Sequence, residues 1–196
     1  MGTDIHGVFQ RRAGNQWHDI PSLYEQDRHY QLFAVLAGVR NGYGFAGVPT
    51  GEAVTPISEP RGLPIDFPVD DDSHHEAGKL LEIWMGDHSY SWLTGAEMLA
   101  WAETAPRIVK TGVLSREAYG DWDKTSPPKM YCGGVSGGGA LVVQDNTFAK
   151  KAQPHWTHIQ CTWTRDLREE LADFFGEVAR LVSEHGEIRF VFGFDS

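Results

Sequence analysis

The chain is expected to fold as one α+β domain over residues 1–196, with a mixed or antiparallel sheet, two main packed helices and long functional loops. Three observations predict this. Strand-like alternation stands near both ends, from Ile5 to Arg12 and from Ile188 to Phe194. Two apolar stripes at helical spacing lie between them, one within residues 27–39 and one within residues 167–182. From residue 42 to residue 72 the sequence has no periodicity but repeated Gly and Pro, which marks a long loop.

Taken in order, Ile5 to Arg12 is a strand candidate, Ala13-Gly14-Asn15 a turn, and Gln16 to Ile20 the returning strand of a hairpin. Residues 27–39 read as a helix capped by Asp27, with Tyr30, Phe33, Ala34 and Ala37 on one stripe. Residues 79–85 suggest a short strand. Gly86-Asp87-His88-Ser89-Tyr90-Ser91-Trp92 follows and reads as a polar loop entering a helix at Thr94, where Thr94 and Glu97 have capping-box spacing. Leu99 and Ala102 would face the core. Residues 114–119 suggest another short helix. The glycine-rich run 133–139 reads either as a backbone cradle for phosphate or as a flexible hairpin loop before a strand at 140–143. Residues 155–163 alternate, with Ile159, Cys161 and Trp163 on one face. Asp166 then caps the longest amphipathic helix, with Glu169 at the capping-box position, and Gly186 ends it. A strand–helix–strand order suggests that the last two strands are parallel neighbours.

Composition narrows the function classes. The chain has 196 residues, 27 acidic and 17 basic, for a formal charge of -10. General nucleic-acid binding needs a basic footprint and is therefore not expected. A local arginine cluster is still compatible with a small anion. No apolar run reaches the length of a membrane span, and the N-terminus lacks the form of a signal peptide. Cys132 and Cys161 suggest neither a disulfide framework nor a zinc site, so a reducing, cytosolic compartment is expected.

Chemistry-bearing residues concentrate near the ends of expected elements. Asp4-Ile5-His6-Gly7 opens like a metallophosphoesterase motif, but position 90 is Tyr and no Gly-Asn-His segment follows. His74-His75-Glu76 reads as a solvated run, and no essential metal or cofactor is expected. His155-Trp156-Thr157 matches half of a two-histidine phosphoesterase signature and lacks its partner. The expected site gathers Asp4, His6, Arg40, Arg61, Asp87, His88, Ser89 and Trp92 around one pocket. Arg40 and Arg61 would hold an anion. Tyr90 or Trp92 would stack a ring, and Ser89, Gly134 and Ser136 would supply hydrogen bonds to phosphate. His6, His88, Asp87 and Asp4 are the candidates for acid–base work. The bland reading of the same residues is a hydrogen-bond network that fixes loops.

Asp4-Ile5-His6-Gly7, residues 28–40 (RHYQLFAVLAGVR), residues 60–64 (PRGLP), residues 87–93 (DHSYSWL), residues 132–137 (CGGVSG) and the ending 189–195 (RFVFGFD) together resemble a family of small proteins found widely in bacteriophages and prophages. The resemblance brings no catalytic residues. It implies a phage accessory protein of the host cytoplasm, one of a class that often blunts host defence by capturing or destroying nucleotide immune signals. Sequestration of a nucleotide-derived, phosphate-bearing molecule is the first expectation. A phosphodiesterase or nucleotide hydrolase is the second, and a structural or host-protein-binding factor the third. Assembly into a homo-oligomer is compatible with each.

Overall fold

In the computed structural model, which describes residues 2–67 and 85–195, the chain forms an α+β fold with two sheets rather than one. Strand β1 (Asp4–Ala13) turns through residues 14–15 into β2 (Gln16–Ile20), forming the expected hairpin. Helix α1 (Tyr30–Ala37) follows, then a long irregular segment with one 3₁₀ turn at Phe45–Gly47. Strand β3 (His88–Thr94) leads into α2 (Gly95–Glu103), and β4 (Arg107–Ser115) into α3 (Arg116–Asp121). Strand β5 (Val142–Gln144) and α4 (Thr147–Ala152) precede β6 (His158–Asp166). The last elements are α5 (Leu167–Glu170), α6 (Ala172–His185) and β7 (Ile188–Asp195). Among the described residues no helix is long and apolar enough to cross a membrane. Asp70 to Asp72, His74 to Glu76 and most of the strand expected at 79–85 lie outside the described residues.

The antiparallel sheet runs β2-β1-β7-β3, and a mixed sheet runs β4-β6-β5. The last strand is therefore central. Phe190, Phe192 and Phe194 point to the main core, where they meet Leu32–Ala37 of α1, Met98 of α2 and Phe174, Val178 and Leu181 of α6. The alternate residues of β7 are buried as well, because residues 63–67 and Met85 cover the second face at Val191 with Tyr90 and Trp92. A smaller core of Leu114, Ile159, Trp156 and Trp163 lies in the mixed sheet, packed against Tyr119 and Trp122 of the α3 region.

Several local expectations are corrected. Helix α1 starts three residues later than expected, and His29, not Asp27, caps it: the His29 Nδ1 accepts the Leu32 N–H at 3.2 Å. Residues 88–92 are a strand, not a loop, because they pair with β7 on one side and with residues 61–62 on the other. Leu114 and Ser115 end β4, and the helix begins only at Arg116. Strands β6 and β7 are not parallel neighbours; they belong to different sheets, and the parallel partner of β6 is β5. The Thr94–Glu97 capping box, Leu99 and Ala102 against the core, and the apolar stripe of residues 167–182 are all observed. The Asp166 cap is present too, but Leu171 divides the expected helix into α5 and α6.

Candidate functional site

The eight residues expected around one pocket separate into three places. Asp4 and His6 of β1 and Asp87 and His88 before and in β3 reach the same end of the first sheet, but β7 lies between them: His6 pairs with Gly193, and His88 with Phe194. Asp4 is held by Arg28, whose Nε and Nη2 donate to its two oxygens at 2.8 and 2.6 Å. That fork keeps the Asp4 carboxyl below its ordinary pKa. The carboxylate beside His6 is Asp195, with Oδ2 at 3.3 Å from Nε2. The Asp195 Oδ1 accepts the Asp4 backbone N–H at 3.0 Å. His88 Nδ1 lies 2.9 Å from Ser89 Oγ, and its Nε2 lies 3.9 Å from Asp87. Among the described residues no group of three or more His, Cys, Asp or Glu side chains is placed to hold a metal.

Arg61 and Trp92 do meet, near the other end of β3. The guanidinium lies 5.1 Å from the indole centroid and is forked onto Glu97 at 3.2 and 2.5 Å. Arg61, with help from Thr94, holds Glu97 down to about 2. This arginine is therefore engaged by a carboxylate rather than presented to an anion. Tyr90 spends its hydroxyl on the Gly86 carbonyl at 2.8 Å and lays its ring over Gly193. Gly134 lies beside Val48, and Ser136 is exposed.

Arg40 is in a different setting, a cleft of about 260 Å³ between α1, the 40–50 loop and the β4 region. The loop is built to make this cleft. Gly38 takes the left-handed conformation that ends α1. Asn41 then both donates to and accepts from the Val54 backbone, at 2.7 and 2.8 Å, and closes the loop on itself. Residues 50–52 pair along the free edge of β4, with Thr111 N–H donating to Thr50 O and Glu52 N–H to Val109 O. The cleft is thus lined by cationic Arg28, Arg40 and Lys110 and by the rings of Tyr30, Tyr43 and Tyr131. His29, Gln31, Thr50 and Glu170 complete its polar wall. Arg40 donates to Thr3 Oγ1 at 2.9 Å and sits 5.6 Å from the Tyr30 ring centroid.

Lys110 is an enclosed cation. Its side chain is 13% exposed, its Nζ donates to Gln31 Oε1 at 2.5 Å, and Glu170 lies 3.9 Å away. Burial pulls its pKa below the usual lysine value, and Glu170 opposes that shift. Sequence reasoning missed Lys110 because β4 was not recognised. The alternation of Ile108, Lys110 and the following Val113-Leu114 was the available signal. The basic-aromatic run Arg28-His29-Tyr30 ahead of a helix was the other. Comparison with family models, curated proteins and solved structures gives no match.

His29 gives this wall a pH dependence. Burial lowers its pKa below the ordinary value of about 6.5. The unfolded chain then takes up the proton first, so the stability from neutral His29 is complete above about pH 6.5 and declines as pH falls below it. Protonation also removes the Nδ1 lone pair that caps α1. His29→Asn keeps an acceptor at every pH. Urea midpoints at pH 7.5 and 5.5 are expected to differ less in this variant than in the parent. Equal pH dependence in the two proteins would refute the assignment.

Proposed function

We propose that the protein binds and sequesters a nucleotide-derived, phosphate-bearing small molecule, acting as a phage accessory factor that depletes a host immune signal in the host cytoplasm. The observation that carries this reading is the convergence of Arg40 and Lys110 with three tyrosine rings in one cleft, beside Arg28, which is forked onto Asp4. Guanidinium and ammonium groups suit phosphate oxygens, and aromatic faces suit a base. The phage setting rests on the sequence resemblance alone. A phosphodiesterase or nucleotide hydrolase is the second reading. It is favoured by the His6–Asp195 pair at 3.3 Å, in which the carboxylate would orient an imidazole for proton transfer.

One experiment separates these readings. The protein is incubated with cyclic mononucleotides, cyclic dinucleotides and cyclic ADP-ribose isomers, then denatured, and the released molecules are analysed. Sequestration predicts depletion from solution and recovery of intact ligand. Arg40→Ala is expected to weaken retention about 10- to 100-fold, the range for losing a hydrogen bond from a charged group. Turnover abolished by His6→Ala would instead establish the enzyme. No depletion of any compound would sink both forms and favour a protein partner.

A further inference from the structure

The lysines of the described chain differ sharply in setting. Lys150 donates to Asp145 Oδ1 at 2.9 Å and to the Tyr119 hydroxyl at 3.0 Å, contacts that raise its pKa. Lys124 is spent on the backbone carbonyls of Tyr119 and Trp122 and lies over both rings. Lys110 alone among the described lysines combines enclosure, a place in the Arg28–Arg40 cleft and a carboxylate neighbour. Its stem is covered by Gly51, whose absent side chain lets the loop backbone approach within contact of the Lys110 methylenes. Gln31 presents a neutral acceptor to the amine, so the nitrogen is positioned in its uncharged as well as its charged form.

We propose that Lys110 is a nucleophilic amine that forms an imine with a small aldehyde or ketone bearing a phosphate. The inference rests on the cleft being an anion site, with Arg40 taking the phosphate and leaving the carbonyl carbon to the lysine. The chemistry balances without an oxidant or reductant. The Nζ lone pair bonds to the carbonyl carbon as the C=O π electrons move to oxygen. One proton passes from nitrogen to oxygen through Glu170, giving a carbinolamine. The hydroxyl then leaves as water with a second nitrogen proton, and C=N remains. A lysine held in a partly dry site holds more neutral amine at pH 7 than a solvated one, which is the usual means of activating it.

The test uses pyridoxal phosphate as the probe, followed by borohydride, which delivers hydride to the imine carbon and fixes the adduct. Peptide mass mapping of the full chain at pH 7 is expected to place the adduct predominantly on Lys110 rather than on Lys124, Lys129, Lys150 or Lys151. Pyridoxine phosphate has the same ring and phosphate but no aldehyde, and it should protect Lys110. Lys110→Arg should abolish the adduct, and calorimetry on the parent protein measures pyridoxine phosphate binding. Adducts spread evenly over the lysines, or absent from Lys110, would overturn the inference. If pyridoxine phosphate still bound in that case, the anion cleft would stand and only the imine chemistry would fall. If it did not bind either, both would fall.

Discussion

Phe190→Ala is expected to lower the unfolding free energy by about 3–5 kcal/mol, the range for emptying a buried phenylalanine site. Phe190 is fully enclosed at the centre of β7, between β1 and β3. Its ring stacks on Phe9 at 4.5 Å and lies 5.2 Å from Phe192 and 5.7 Å from Phe174 of α6. The lost ring therefore removes contacts to two strands and a helix at once, and strand backbones cannot collapse to fill the space. A loss of this size is a large share of the 5–15 kcal/mol typical of a whole domain. Phe148, exposed on α4, is the control, and its replacement by alanine should stay within about 0.5 kcal/mol of the parent. Chemical denaturation of the three proteins measures both. A Phe190→Ala midpoint close to that of Phe148→Ala would contradict this account of the core.

Gly193→Ala is expected to cost about 3 kcal/mol, at the upper end of overpacking effects. A Cβ at this position would lie 2.1 Å from the Met85 carbonyl oxygen and 2.7 Å from the Tyr90 ring. The neighbouring approach is as tight, since a Cβ on Gly86 would lie 2.2 Å from the Phe194 carbonyl oxygen. Residues 85–86 thus press backbone to backbone against the end of β7, and Asp87 N–H donates to Phe194 O at 2.7 Å. Neither side is a flexible side-chain tip, so relief requires moving the chain that delivers Asp87 and His88 to β3. Hydrogen exchange at the Asp87 amide should accelerate along with the fall in stability. Gly176, on an open face of α6, has nothing within reach of an added Cβ, and Gly176→Ala should stabilise by about 0.5–1 kcal/mol. If Gly193→Ala matched Gly176→Ala, the close packing at β7 would be wrong.

Elements whose signals are local are legible in the sequence. The β1–β2 hairpin follows from alternation around a Gly-Asn turn, and the start of α2 from the Thr94–Glu97 box. The amphipathic stripe from Leu167 to Val182 shows which side of α6 is buried. Tertiary structure alone decided the partners of these elements. Alternation in β7 reveals its phenylalanine face, but not that Arg189, Val191 and Gly193 are also covered, because the covering chain lies more than a hundred residues earlier. The order strand–helix–strand suggested a parallel pair, yet β7 lies between β1 and β3, and β6 pairs with β4 and β5 in the other sheet. The site followed the same division. The sequence singled out arginines and aromatic residues as candidates for a phosphate-bearing ligand. Only folding decided that Arg61 would be spent on Glu97 and Asp4 on Arg28, while Arg40 would meet Lys110, 70 positions away, across a cleft. Charge pairing and burial depend on which side chains are brought within a few ångströms, and spacing along the chain does not encode that distance.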